Sequence, residues 1–66
     1  MNVWLNGEIA DTRGARTVAE LVECYGLHPS SILIEHNGLA LHRREWPERE
    51  LGESDRLEFI RIVAGG

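Results

Sequence analysis

Only one segment of this chain carries the apolar rhythm of a helix, so the fold must be assembled around that segment. Val18, Leu21, Val22 and Tyr25 recur at i, i+3, i+4 and i+7 and form one stripe, while Glu20 and Glu23 point away from it. Thr17 and Glu20 stand at the spacing of a capping box, which predicts a helix start at Thr17. Gly26 sits where a glycine cap belongs, and His28-Pro29 prevents the helix from resuming.

The segments on either side read as strands. Val3 and Leu5 alternate with Asn2, Trp4 and Asn6, and Asn6-Gly7 ahead of Ile9 is a strong two-residue hairpin signal. The polar run from Asp11 to Arg16 suits a loop. Ile32-Leu33-Ile34 leads into a second Asn-Gly pair, Asn37-Gly38, with Leu39 and Leu41 returning, which predicts a shorter hairpin. Arg43 to Asp55 is mostly charged, and Trp46 and Leu51 are expected to pin it to the core as a loop or short 3₁₀ turn. A last strand is predicted from about Arg56 to Val63. The result is a single α+β domain over residues 1–66, with one main helix packed on one face of a mixed sheet of four to five strands.

A chain of 66 residues buries roughly 60% of the surface it exposes when unfolded, so its core is small. Its 11 acidic and 7 basic side chains leave a net charge of -4, the wrong sign for gripping a phosphate backbone, which argues against nucleic acid as a partner. Cys24 is the single cysteine. It allows neither an internal disulfide nor a multi-cysteine zinc site, and it fits a reducing, cytoplasmic setting. No apolar stretch is long enough to cross a bilayer, and the start lacks a basic region followed by an apolar run. A soluble chain, unprocessed at its N-terminus and without a membrane partner, is the expectation.

The last strand also bears on binding. If Leu57 and Phe59 face the helix, period two puts Glu58, Ile60 and Ile62 on the opposite face, and the same count puts Trp4 outward when Val3 and Leu5 face in. With one helix in the chain, nothing covers that face. Should the first and last strands be neighbours, Trp4, Ile60 and Ile62 are expected to form an exposed apolar patch beside the C-terminus, suited to docking a partner. The alternative is that they are separate exposed apolar residues of the ordinary kind.

The chain ends Val63-Ala64-Gly65-Gly66, read as a flexible tail. Extended from Val63, it reaches about 13 Å at roughly 3.3 Å per residue, enough to enter a partner's active site. Two glycines present the thinnest possible chain and let a partner's backbone approach closely. A carboxylate is a poor electrophile, so acyl chemistry at Gly66 requires prior activation, and this chain has no visible machinery for it. Another protein must supply the nucleotide site.

Several motifs in order, with consistent spacing, give the sequence a family likeness over nearly its whole length: Thr17-Val18-x-Glu20-Leu21, Glu35-x-Asn37-Gly38, Arg43-x-x-Trp46, and Asp55-x-Leu57-Glu58-Phe59 running into Val63-Ala64-Gly65-Gly66. With these features the sequence resembles the ThiS family of sulfur carriers. The resemblance implies a β-grasp, ubiquitin-like fold and a protein that is a co-substrate and not an enzyme. It further implies that a ThiF-like adenylating enzyme uses MgATP to convert the Gly66 carboxylate to an acyl-adenylate. Sulfur from a cysteine desulfurase or other persulfide donor then replaces AMP, and the resulting thiocarboxylate serves a ThiG-like thiazole synthase in thiamine biosynthesis. No cofactor bound by this chain itself is implied. Two positions depart from the family pattern: His42 stands where a proline commonly precedes the arginine, and Ser54 precedes Asp55 where glycine is usual. Other readings of the same features are a molybdopterin-synthase small-subunit type of carrier, a ubiquitin-like protein modifier, and a β-grasp interaction module with an inert tail.

The remaining candidates read as structural. Cys24 lies at the margin of the apolar stripe, where a semi-buried thiol is ordinary. His28, His36 and His42 show no i, i+4 pairing and no companion cysteines, so no metal site is expected and all three read as solvated loop or turn residues. Glu45, Glu48, Glu50, Glu53 and Asp55, interleaved with Arg43, Arg44 and Arg49, read as a solvated loop rather than a paired-carboxylate site. Arg61 fits a partner's acidic residue or an ordinary surface ion pair equally well. Trp46 reads as a core plug.

Overall fold

Both Asn-Gly dipeptides close hairpins as their chemistry dictates. Asn6 and Gly7 have φ of 50° and 82°, and Asn37 and Gly38 have 51° and 85°, the consecutive left-handed pair that a type I′ turn requires. The first turn joins β1 (Asn2–Leu5) to β2 (Glu8–Asp11), and the second joins β3 (Ile32–His36) to β4 (Leu39–Leu41), each pair antiparallel. β5 (Arg56–Arg61) lies between the hairpins, parallel to β1 and antiparallel to β3. The five-stranded mixed sheet therefore has the order β2-β1-β5-β3-β4, and with one main helix on one face it is a β-grasp. The structure, a computed structural model, describes residues 1–62. The expected last strand ends at Arg61 among these residues, and Val63 lies outside them.

The helix α1 spans Val18–Cys24 with Thr17 as its cap. Thr17 Oγ1 accepts the Glu20 N–H at 3.2 Å, which is the first arm of the expected capping box. The second arm is displaced by one residue, because Glu20 Oε1 accepts from the Arg16 N–H at 2.8 Å. Arg16 and Val18 are themselves tied to the Leu51 N–H and the Arg49 C=O in a short antiparallel bridge centred on Thr17 and Glu50, so the helix is entered from extended backbone. At its other end Leu27 N–H bonds Val22 C=O at 3.1 Å and Gly26 N–H bonds Glu23 C=O at 3.0 Å, a Schellman closure with Gly26 at φ 66°.

The stripe on α1 meets the inward residues of the sheet. Val3, Val18, Leu21, Val22, Ile32, Ile34, Leu41 and Leu57 are buried together, and Trp46 is delivered among them by a 3₁₀ helix over Arg43–Glu48. Tyr25, Leu51 and Phe59 close the margins of this core.

Two polar residues expected in solvent are instead tied to the interior, His36 buried and Asp55 half-buried. Period two along β3 turns Ile32, Ile34 and His36 to the same side, and His36 is 4% exposed. The expectation of a solvated histidine fails there because His36 ends a strand whose inner positions are all covered. Arg49 Nε–H donates to His36 Nδ1 at 2.9 Å, so Nδ1 is an acceptor, and Nε2 donates to Asp55 Oδ2 at 2.7 Å. Asp55 also accepts the Gly52 N–H at 2.7 Å and Asn37 Nδ2 at 3.3 Å. Burial pushes the Asp55 carboxyl up, but the hydrogen bonds from His36, Gly52 and Asn37 outweigh it and hold it below the usual value. Asp55 thus departs from the solvated acidic loop: it fastens the loop to the ends of β3 and β5.

The two departures from the family pattern have simple backbone correlates. His42 has φ of −74° and ψ of 146°, a conformation in which proline also fits. Its N–H, which a proline lacks, donates to Glu45 Oε1 at 2.8 Å. Ser54 has φ of 67°, the left-handed region in which glycine is at ease and other residues are strained.

Candidate functional site: the helix-free face and the chain end

The register shows which side chains share the face opposite α1. Trp4 is aligned with Ile9 on β2 and with Arg56 on β5, while on the β3 side Glu58 is aligned with Glu35 and Ile60 with Leu33. Aligned residues point to the same face. The outward apolar side chains therefore fall into two groups, Trp4 with Ile9 and Ile60 with Leu33. Trp4, Ile60 and Ile62 are 41%, 44% and 44% exposed, and Leu33 is 55% exposed, so each is available to a partner.

β1 and β5 are neighbours, the condition set for a patch of Trp4, Ile60 and Ile62. Trp4, however, is level with Arg56, four residues before Ile60, or about 13 Å along the strand. Glu58 and Glu35 occupy the face between them. At the end of β5, the apolar surface of this face consists of Leu33, Ile60 and Ile62. Leu33 is not part of the expected patch because its partnership with Ile60 depends on the pairing of β3 with β5. The alternation Ile32-Leu33-Ile34 nevertheless marks it as the one outward residue of that run.

The end of β5 is held from one side. Ile62 N–H donates to Ser31 C=O at 2.8 Å, just past the last aligned pair, Ile32 with Arg61. Gly66, Gly65, Ala64 and Val63, the residues expected to carry the chemistry, lie outside the described residues. The depression beside Trp4, lined by Gly7, Arg56, Leu57 and Glu58, has a volume of about 260 Å³. This is at the small end of the roughly 300–1,000 Å³ usual for small-molecule sites.

The other candidates are dispersed. Cys24 is exposed at the last turn of α1 rather than semi-buried, because Val18, Leu21 and Val22 turn the stripe away from it. His28 and His42 are exposed, on a different part of the chain from buried His36. Among the described residues no three His, Cys, Asp or Glu side chains gather as metal ligands, and no helix is long and apolar enough to cross a membrane.

Comparison with known proteins adds to this geometry. The chain is 33% identical over 64 residues to the sulfur carrier protein ThiS of Thermus thermophilus, covering 97% of this chain and 98% of that one. It is 22% identical over 63 residues to the uncharacterized protein ycf40 of Trieres chinensis, covering 96% and 86% respectively. The crystal structure of the thiamine biosynthesis protein ThiS from Geobacter metallireducens superposes with a TM-score of 0.83 at 28% identity, over 100% of both chains. A solution structure of a thiamine biosynthesis protein from the same organism gives 0.79 at 28% identity, over 100% of this chain and 88% of that one. Residues 3–66 match the ThiS family, a span that takes in α1, β2 to β5, all but the first residue of β1 and the terminal Gly65-Gly66: the chain belongs to the ThiS family.

Proposed function

We propose that this protein is a sulfur carrier of thiamine biosynthesis, a protein co-substrate whose reactive group is the Gly66 carboxylate. The observation that carries the proposal is the family match running to residue 66, so that Gly65-Gly66 falls inside the family's own span. The relative from Thermus thermophilus bears the name sulfur carrier protein, in keeping with that reading.

In the proposed cycle an adenylating enzyme of the ThiF type binds MgATP and transfers AMP to the Gly66 carboxylate, releasing pyrophosphate. The mixed anhydride makes the acyl carbon electrophilic and gives it a good leaving group. The outer sulfur of a persulfide, from a cysteine desulfurase or another donor, attacks the acyl carbon and expels AMP, leaving an acyl disulfide; a thiol then cleaves its S–S bond, is oxidised to a disulfide, and releases Gly66 as a thiocarboxylate. A thiazole synthase of the ThiG type takes the sulfur. The carrier's own tasks are to be recognised and to extend its end into two different active sites. Ile60, Ile62 and Leu33, exposed beside the exit of β5, are the proposed docking contacts, with Trp4 as an outlying contact on the same face.

The test is the intact mass of the protein after incubation with MgATP, the cognate adenylating enzyme, a persulfide donor and a thiol reductant, beside a variant lacking Gly66. Exchange of one oxygen for sulfur, seen only with the full tail, is the expected result. An unchanged mass, with an adenylating enzyme active on another carrier, would overturn the proposal.

A further inference from the structure

We infer that Asn6 is a positioning residue for the reactive chain end: its side-chain amide replaces a missing strand segment beside β5 and keeps that strand in line past Leu57. The inference rests on the carrier reading for its functional consequence, and on hydrogen-bond geometry for its mechanism.

β5 is an inner strand of the sheet, yet its neighbour on one side is short. β1 aligns with it only at Trp4–Arg56 and Leu5–Leu57, after which the type I′ turn carries the chain away into β2. The backbone N–H of Asn6 still reaches Leu57 C=O at 2.9 Å. In a parallel ladder the next rung would run from the Phe59 N–H to the main-chain carbonyl of residue 6, followed by one from a further N–H to Phe59 C=O. Here the Asn6 side chain supplies both. Phe59 N–H donates to Asn6 Oδ1 at 2.8 Å, and Asn6 Nδ2 donates to Phe59 C=O at 3.3 Å. Because a backbone N–H only donates, the atom facing it must be the amide oxygen, which fixes the orientation of the carboxamide.

The other side of β5 is paired independently. Asn37 N–H to Arg56 C=O and Ile62 N–H to Ser31 C=O establish that Arg56, Glu58, Ile60 and Ile62 turn their backbone groups toward β3. Phe59 turns its groups toward β1, and Asn6 is what meets them. Without that contact β5 is held from one side only over the residues that lead into the tail. Its exit direction, and the fraction of encounters in which the tail enters a partner's site, would then suffer.

Asn6→Gly isolates the side chain, because glycine also accepts the left-handed backbone of the turn. Hydrogen exchange at the Phe59 amide should become roughly tenfold faster, while exchange at Glu58 and Ile60, bonded to β3, changes little. The kcat/KM for thiocarboxylate formation with the adenylating enzyme should fall about tenfold, the loss expected for one or two hydrogen bonds. Asn6→Asp retains the acceptor for the Phe59 N–H but sets a second oxygen against the Phe59 C=O, so its exchange and rate should lie between those of wild type and Asn6→Gly. Thr17→Ala, which removes the cap of α1 beside Glu50, is the control for general destabilisation and should leave kcat/KM unchanged. Wild-type protein that gains no sulfur would overturn the carrier reading and this inference with it. Normal conversion of the wild type, matched by Asn6→Gly or lost equally in Thr17→Ala, would overturn this inference alone, as would unchanged exchange at Phe59.

Discussion

His36 Nε2 lies 2.7 Å from Asp55 Oδ2, across the gap between the end of β3 and the residue before β5. With Arg49 donating to the other ring nitrogen, the imidazole is bonded at both ends and links the charged loop to the sheet. Such a buried polar link is stabilising only while every member keeps its partner.

The first prediction concerns acid. The folded-state value of Asp55 is depressed below the ordinary 3.8 of an aspartate, so between the two values the unfolded chain binds more protons than the folded one. Stability from this group is therefore present above the unfolded value and lost as pH falls through the folded one. Asp55→Asn is expected to cost about 1–3 kcal/mol near neutral pH. Urea unfolding of both proteins should show this difference shrinking as pH drops below 3.8. A difference that stays constant through that range would count against the assignment.

Ser54→Gly should stabilise the protein. Ser54 occupies φ of 67°, where a side chain costs roughly 1 kcal/mol, part of which glycine returns through the entropy of its unfolded state. A net gain of about 0.5 kcal/mol, visible as a rise of roughly 2–4 °C in Tm, is expected. Equal or lower thermal stability would show that the turn carries no strain there.

Glu35 and Glu58 are directly aligned on the exposed face, and like charges in that relation oppose sheet pairing. Glu58→Lys turns the pair into one of opposite sign. A gain of about 0.5 kcal/mol at low salt, diminishing as salt is added, is expected from denaturation curves. No gain at low salt would mean that the two carboxylates already avoid each other.

Ile60→Asp tests the docking surface. Ile60 is 44% exposed, so the fold should survive with nearly unchanged circular dichroism, whereas affinity for the adenylating enzyme should fall about tenfold or more. Leu39, 50% exposed on the edge strand β4, provides the comparison, and Leu39→Asp should bind normally. Equal affinities for the two variants would remove Ile60 from the interface.

Much of the architecture is written in short-range chemistry. The two Asn-Gly pairs specify turns that only left-handed residues can make, and Thr17, the Val18–Tyr25 stripe and Gly26 bound a helix within one span of local contacts. Trp46 is the large apolar exception in a charged run, and burial follows from its surface area. The family was legible for a similar reason, since the ordered motifs and the Gly65-Gly66 end fall within the family span.

The rest required strands distant in sequence to meet. No local pattern states that Ile60 aligns with Leu33 or that Trp4 stops level with Arg56, since those registers are set by how both hairpins pack on α1. The burial of His36 and its bonds to Arg49 and Asp55 join residues 13 and 19 positions apart. The sequence by itself determined the helix, the turns, the two-faced strands and the glycine end, because each depends on neighbours within a few residues. Tertiary structure alone decided which outward side chains became neighbours and which polar groups of the loop and β3 were tied to one another. Strand register is a long-range quantity, and one residue of slip would exchange the two faces of the sheet.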